Sequence, residues 1–128
     1  ILDVQKCELA YARAGHEPPL LLRRDGTVER IPHSVGMSLG LWDTIELDER
    51  AVKFETGSTL LLFTAGMTDC RDPEGVQFGL DRIKTTLSGM VGRPAQVICD
   101  RLFNTLMRYQ SGAQQDDDVT LVAIHRGA

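Results

Sequence analysis

Three consecutive carboxylates, Asp116, Asp117 and Asp118, stand directly before the apolar run at residues 119–124. Adjacent carboxylates repel one another unless a cation or solvent shares their charge. At the mouth of a buried strand they indicate a divalent metal site, because hard cations bind carboxylate oxygens. The alternative is a solvated acidic loop, since most runs of charge are hydrated. Taken alone, the triplet fits the solvated loop better.

The sulfur and imidazole side chains do not suggest a second site. Cys7, Cys70 and Cys99 are widely spaced, odd in number and without a Cys-x-x-Cys partner, so neither a disulfide framework nor a thiolate zinc site is indicated. A reducing cytoplasm is the expected compartment. His33 and His125 are expected to be ordinary surface or core histidines.

Length and charge exclude several classes of protein. A chain of 128 residues suits one domain, and a net charge of −4 argues against a nucleic-acid-binding module. No apolar stretch approaches the roughly 20 residues that span a bilayer. The sequence begins at Ile1 without an initiator methionine or a signal-peptide pattern, which is typical of a part excised from something longer.

Alternation and turn residues predict a set of strands. Residues 7–13 alternate as one strand, and residues 20–24 and 27–31 form a hairpin around Asp25 and Gly26, a pair typical of a tight two-residue turn. Residues 45–54 are a further candidate strand. Residues 59–64 are apolar on both faces, which predicts a strand between two layers.

Two amphipathic helices follow these strands. The first has apolar residues at helical spacing and ends near residue 89 or 92, and the second starts around Pro94 and is closed by residues 111–113. The residues that define their buried stripes are Leu80, Ile83, Leu87, Ile98, Leu102 and Leu106. Residues 32–43 are expected to be a loop that packs back on the domain, with Trp42 as a core anchor.

The order of elements is several strands, two consecutive helices and a returning strand. This segregation predicts an α+β layered sandwich with antiparallel strands. A smaller mixed sheet with helices on one face is the alternative.

Five short motifs then occur in a fixed order along the chain. They are residues 14–19 (Ala-Gly-His-Glu-Pro-Pro), Gly36-x-x-Leu39-Gly40, residues 60–69 (Leu-Leu-Leu-Phe-Thr-Ala-Gly-Met-Thr-Asp), Phe78-Gly79 and residues 117–122 (Asp-Asp-Val-Thr-Leu-Val). Together they resemble the sporulation stage II protein E type of metal-dependent protein phosphatase, in the bacterial branch of the type 2C superfamily. The resemblance covers essentially the whole chain, and it implies an α-β-β-α sandwich.

The resemblance also implies a chemistry and a partner. The implied reaction is hydrolysis of protein phosphoserine or phosphothreonine, with two manganese or magnesium ions held by aspartates. The implied partners are phosphorylated proteins of the anti-sigma-factor antagonist type. Asp117 matches a metal-ligating aspartate of the family, and Asp118 holds the second position of that motif. Successive side chains on a strand point to opposite faces, so Asp118 is expected to support the metal site by hydrogen bonding, with Asp116 as a solvated flank.

The chain departs from the family pattern in two places. Ala65 stands where the family has the aspartate of a Thr-Asp-Gly motif, and a methyl group cannot coordinate a cation; Asp69 follows four positions later. The N-terminal metal motif has no counterpart, so residues 1–128 are expected to be the C-terminal portion of a phosphatase-like domain. Three interpretations stay open: an impaired phosphatase, a silent pseudophosphatase that binds a phosphoprotein, or a structural fragment with no independent activity. The alanine is either natural or introduced, and pairing with a second copy is one way to cover an exposed sheet edge.

Basic side chains supply the candidates for phosphate contacts, although no catalytic or substrate-binding residue is assigned. Arg13, Arg23 and Arg24 are able to form bidentate bonds to phosphate, but solvated positions at strand edges are the preferred interpretation. His16 is expected mainly to shape a structural turn.

Overall fold

A computed structural model describes residues 1–32 and 36–127, which form two antiparallel sheets and three helices. The elements are β1 Leu2–Asp3, β2 Glu8–Tyr11, β3 Leu20–Leu22, β4 Val28–Arg30, β5 Arg50–Lys53, β6 Thr59–Phe63, α1 Ala65–Asp69, α2 Gly79–Ser88, α3 Ala95–Gln110 and β7 Leu121–His125. One sheet has the strand order β1-β2-β5 and the other the order β4-β3-β6-β7. The predicted α+β fold with antiparallel strands is confirmed.

Strand β6 lies between two hydrophobic clusters. Leu61 and Phe63 pack with α2 and α3 on one side, whereas Leu60 packs with Leu9 and Leu21 between the two sheets. The opposite faces of a strand point in opposite directions, so alternate residues of β6 serve different layers. The described chain is therefore stacked as helices, four-stranded sheet and three-stranded sheet, which confirms a strand between two layers.

The two long helices agree with the sequence, and a third, short helix does not. Every predicted stripe residue is fully buried except Leu80, which packs at the edge of the helix-side cluster. Helix α3 begins after Pro94 and ends at Gln110, and the next residue, Ser111, has a left-handed φ of 48°. Helix α1 was not predicted, because five residues are too few for a helical period to show. No helix in residues 1–32 or 36–127 is long and apolar enough to cross a membrane.

The predicted hairpin is present, but its turn is one residue longer than expected. The Arg23 amide donates to the Thr27 carbonyl at 2.8 Å, and the Gly26 amide donates to the Arg23 carbonyl at 3.0 Å. Residues 24–26 therefore form a three-residue loop with Gly26 at φ +89°. The prediction of a two-residue turn was wrong because glycine at the left-handed position also suits this longer loop.

The segment between β4 and β5 differs most from expectation. Strand β5 covers only Arg50–Lys53, and residues 38–51 are all exposed. Trp42 is 67% exposed, so the prediction of a core anchor was wrong. Strands and helices, together with Ile31 and Phe54, fill the two hydrophobic clusters, and none of residues 38–51 belongs to either cluster. Residues 33–35, which include His33, lie outside the described residues.

The side chain of Arg126 ties the last strand to the other sheet. Its guanidinium donates to the carbonyls of Phe54 and Val4, each at 2.8 Å. The Val4 contact joins residues 122 positions apart in sequence. These bonds fix the position of the three-stranded sheet against the end of β7.

Candidate metal centre

The pairing of β6 with β7 brings the acidic triplet beside residue 65. Phe63 pairs with Leu121, so the chain leaving β6 meets the chain entering β7. Thr64 donates its amide to the Thr120 carbonyl at 3.2 Å, and its Oγ1 accepts the Thr120 amide at 3.1 Å. The same hydroxyl donates to the Asp118 carbonyl at 3.3 Å. Thr64 thus joins the two segments through both its main chain and its side chain.

Gly66 sets the distance between α1 and the acidic triplet. A Cβ at this position would lie 2.1 Å from the Asp118 carbonyl oxygen and 2.9 Å from its carbon. Such an approach is possible only for glycine, since a methyl group needs about 3.4 Å from an oxygen. The glycine of the Thr-x-Gly motif therefore has a packing role, and it lets the start of α1 lie against the main chain of Asp117 and Asp118.

The three aspartates are exposed and are held by local bonds. The Asp117 carboxylate accepts the Asp118 amide at 2.8 Å, and the Gln115 side-chain amide donates to the Asp117 carbonyl at 2.8 Å. A cavity of about 10 Å³, close to the space that one water needs, lies between this segment and α1. It is lined by Gly66, Asp69, Cys70, Gln115, Asp116 and Asp117.

These residues do not make up the two-ion site that the family resemblance implies. In residues 1–32 and 36–127 no three His, Cys, Asp or Glu side chains converge in a way that would hold a metal. Ala65, the neighbour of Gly66 at this junction, carries a methyl group, which offers no lone pair. Two hard cations require many oxygen ligands. Asp117 and Asp118 remain predicted metal-site residues, but the described part of the chain does not by itself provide a complete ligand set.

Cys70 contributes to the cavity as a neutral thiol. Burial raises the pKa of its thiol above the ordinary value, and the nearby Asp116 carboxylate raises that pKa further. A thiol must lose its proton to bind a metal. The environment of Cys70 therefore disfavours a role as a ligand.

A hydrogen-bonded chain that was not predicted holds Asp69. The Gln77 side-chain amide donates to Asp69 at 3.1 Å. The carbonyl of Gln77 accepts from the hydroxyl of Tyr109 at 3.2 Å and from Arg82 at 3.1 Å. The Arg82 guanidinium also stacks on the Tyr109 ring, 4.8 Å from its centroid. The sequence gives no signal for this arrangement, because its members come from three separate helices and the segment that connects two of them.

The three arginines named as candidates for phosphate contacts lie at opposite ends of the four-stranded sheet. Leu20 pairs with Leu61 and Arg30, so β3 begins and β4 ends where β6 ends; we call this the Asp117 end. Residues 12–19 precede β3 and lie there, and Arg13 donates to the His16 carbonyl at 3.0 Å. The hairpin loop lies at the opposite end.

The hairpin arginines have structural partners at that opposite end. Arg23 is bonded to Glu29 at 2.7 Å and to the Lys53 carbonyl at 2.6 Å. The aliphatic part of the Arg24 side chain lies beside Gly57. Their distance from the acidic triplet supports the interpretation that they are not phosphate ligands.

The stacking of helices on two antiparallel sheets, and the order of the strands in those sheets, match the fold of a type 2C phosphatase domain. The solved phosphatase domain of SpoIIE from Bacillus subtilis, presoaked with manganese, superposes with a TM-score of 0.76 at 19% identity, over 99% of this chain and 54% of that one. The sequence model of the Stage II sporulation protein E (SpoIIE) family matches residues 1–127, and the chain belongs to this family. The predicted family is confirmed.

Curated relatives are longer than this chain. Protein IcfG of Synechocystis is 29% identical over 98% of this chain and 20% of its own length. The phosphoserine phosphatase RsbU of Bacillus subtilis is 28% identical over 97% of this chain and 36% of its own length. The chain thus spans about a fifth to a third of these relatives.

Proposed function

We propose that this chain is part of a metal-dependent protein serine/threonine phosphatase domain that acts on a regulatory phosphoprotein in bacterial signalling, and that its hydrolytic activity is impaired. The relative RsbU, named a phosphoserine phosphatase, supports the reaction class. The partner is a phosphorylated protein of the anti-sigma-factor antagonist type, in the cytoplasm. Manganese or magnesium is the cofactor, since hard oxygen ligands favour these ions over zinc.

The observation that carries the impairment is the alanine in an otherwise intact junction. Thr64 makes three bonds to Asp118 and Thr120, and Gly66 lies close to the Asp118 carbonyl. The residues around position 65 are therefore held in a fixed arrangement, while residue 65 itself, where the family resemblance implies an aspartate ligand, has only a methyl group. A metal ion bound there would activate water and neutralise phosphoryl oxygens; without a full ligand set that assistance is weakened.

We further propose that residues 1–128 form the C-terminal portion of the domain, with other ligands contributed by sequence outside this chain. The 54% coverage of the SpoIIE phosphatase structure supports this division. A second copy that covers exposed sheet surface is the other arrangement, and the molecular mass in solution distinguishes a homodimer from a monomer.

The same alanine favours a second candidate function, a pseudophosphatase that binds a phosphoprotein without hydrolysing it. An intact framework with one ligand removed is the arrangement expected when binding is kept and hydrolysis is lost. The two candidates differ in whether the natural protein turns over a phosphate ester in the presence of metal.

The deciding experiment measures manganese-dependent hydrolysis of para-nitrophenyl phosphate by the natural protein that carries this sequence. It is compared with Ala65→Asp and with the matched control Ala65→Asn, which has nearly the same shape but no charge. We expect weak hydrolysis in the unmodified protein and a gain of at least about tenfold with aspartate only. Equal gains with both variants, or none, would show that residue 65 is not the absent ligand. Vigorous turnover by the unmodified protein would exclude the pseudophosphatase.

A further inference from the structure

We propose that the hydroxyl of Thr64 positions Asp117 for metal binding, by holding the segment that enters β7 against the start of α1. Thr64 is a positioning residue in this role, because its contacts are with the main chain that follows Asp117. The inference rests on the proposed function, since it concerns the same candidate metal centre. The bonds of the hydroxyl, the cap of α1 and the packing of Gly66 each support it.

The Thr64 hydroxyl uses both of its hydrogen-bonding capacities on one short segment. It donates to the Asp118 carbonyl at 3.3 Å and accepts the Thr120 amide at 3.1 Å. These two groups belong to the peptide bonds on either side of Val119, so a single side-chain oxygen fixes both of them. A hydroxyl is a donor and an acceptor at once, whereas valine has nearly the same shape and can make neither bond.

These bonds take the place of the usual task of a threonine at the start of a helix. Thr64 is the N-cap residue of α1, where a side-chain hydroxyl commonly accepts an amide of the first helical turn. Within the described residues, the hydroxyl makes no such cap bond. It therefore joins α1 to the acidic segment and does not serve the local stability of the helix.

The orientation of the Asp117 carboxylate depends on the segment that Thr64 holds. Its Oδ1 accepts the Asp118 amide at 2.8 Å. That amide and the carbonyl held by Thr64 belong to the same residue, so a movement of Asp118 carries the Asp117 carboxylate with it. The bond from Asp118 engages Oδ1 and leaves Oδ2 to face a cation.

Gly66 fixes the other side of the junction. A Cβ at Gly66 would lie 2.1 Å from the Asp118 carbonyl oxygen, so the start of α1 is in direct contact with the main chain that Thr64 holds. Residue 65 lies between Thr64 and Gly66 in the sequence. A carboxylate introduced at residue 65 would therefore depend on Thr64 for its placement relative to Asp117.

The test measures the affinity for manganese alone by isothermal titration calorimetry of the natural protein that carries Ala65→Asp. Thr64→Val, which removes the hydroxyl, and Thr64→Ser, which keeps it, are each added to that protein. We expect Thr64→Val to raise the manganese dissociation constant about 10- to 100-fold, and Thr64→Ser to leave it within about threefold. Rescue by serine separates the hydroxyl bonds from a general effect of altering residue 64.

The matched control is Thr86→Val on α2, added to the same Ala65→Asp protein. Thr86 is half-buried like Thr64, and its hydroxyl also donates to a carbonyl, that of Arg82 at 2.8 Å. The control should leave the manganese dissociation constant within about threefold, because α2 lies outside the junction. Binding is measured at a temperature at which circular dichroism shows every variant folded, so that a loss of affinity is not a loss of fold.

A second measurement requires no substitution at residue 64. In the unmodified natural protein, the Thr120 amide donates to the Thr64 hydroxyl. We expect this amide to exchange its hydrogen at least about tenfold more slowly than in an unstructured chain. Should Thr64→Val not fold, this exchange rate decides whether the hydroxyl holds the segment.

The outcomes separate the inference from the proposed function. If Ala65→Asp binds manganese no more tightly than the unmodified protein, residue 65 is not the absent ligand, and the proposed impairment and the positioning role fall together. If Ala65→Asp binds more tightly and Thr64→Val leaves that gain intact, the positioning role is wrong and the proposed function stands. Equal losses with valine and serine at residue 64, an equal loss in the Thr86→Val control, or an unprotected Thr120 amide also overturn the positioning role.

Discussion

Replacing Gly66 with alanine tests whether α1 packs against the acidic triplet as described. The added Cβ would lie 2.1 Å from the Asp118 carbonyl oxygen, whereas ordinary contact begins at 3.4 Å. The two segments must therefore separate by about 1.3 Å, because the clashing atoms belong to the main chain on both sides. Overpacking of this kind costs about 1–3 kcal/mol.

The separation also breaks the bonds of Thr64. Its hydroxyl contacts to Asp118 and Thr120, at 3.3 and 3.1 Å, have no slack for a shift of this size. Each lost hydrogen bond removes about 0.5–1.5 kcal/mol. We therefore expect Gly66→Ala to lower the free energy of unfolding by about 2–6 kcal/mol, and the Tm by roughly 10 °C or more.

Thermal and urea unfolding followed by circular dichroism measure this loss, with Gly89→Ala as the matched control. Gly89 has a φ of −79°, and the nearest atom to its added Cβ is the Thr86 carbonyl oxygen at 3.7 Å. Alanine is compatible there and should change stability by less than about 1 kcal/mol. If Gly66→Ala melts within about 2 °C of the control, α1 does not approach the triplet as closely as described.

Two further predictions concern side chains around the site. Tyr109→Phe removes the hydroxyl that donates to the carbonyls of Val76 and Gln77, but keeps the ring packed edge-on against Phe78 at 5.1 Å. Urea denaturation should show a loss of about 1 kcal/mol, and an unchanged midpoint would contradict it. Burial raises the pKa of the Cys70 and Cys99 thiols above 9.0, so the folded protein holds these protons more tightly than the unfolded chain. The contribution of these thiols to the free energy of unfolding should be fully present below pH 9 and should be lost as the pH rises through the folded pKa values. Urea denaturation of the double variant Cys70→Ala and Cys99→Ala should show a smaller decline in stability over this pH range. An equally steep decline in the variant would contradict the prediction.

Much of the fold was predictable because its core residues carry a clear period. The apolar run at residues 59–64 predicts a strand buried on both faces. The helical spacing of Ile98, Leu102 and Leu106 predicts the buried stripe of α3. The loop around Trp42 was not predictable, since hydrophobicity alone cannot show that both clusters are already filled. The three-residue length of the hairpin loop was not predicted either, because the pair Asp25 and Gly26 is compatible with loops of two and of three residues.

The candidate site was predictable in location but not in construction. Asp117 was predicted as a metal-site residue because it precedes a buried strand and matches a metal-ligating aspartate of the family. The close approach of Gly66 to Asp118 depends on the register of β6 with β7, which no local pattern reveals. The link from Asp69 through Gln77 to Tyr109 is likewise a product of tertiary packing.

The central place of β6 has a consequence for the order of folding events. The hairpin β3–β4 forms locally, but the bond between Thr59 and His125 joins residues 66 positions apart. Folds dominated by such distant pairings acquire structure slowly, on the millisecond to second scale, because long loops must close first. We therefore expect the strand that follows Asp118 to dock after both long helices have formed, so that the candidate metal centre is assembled among the last parts of the molecule.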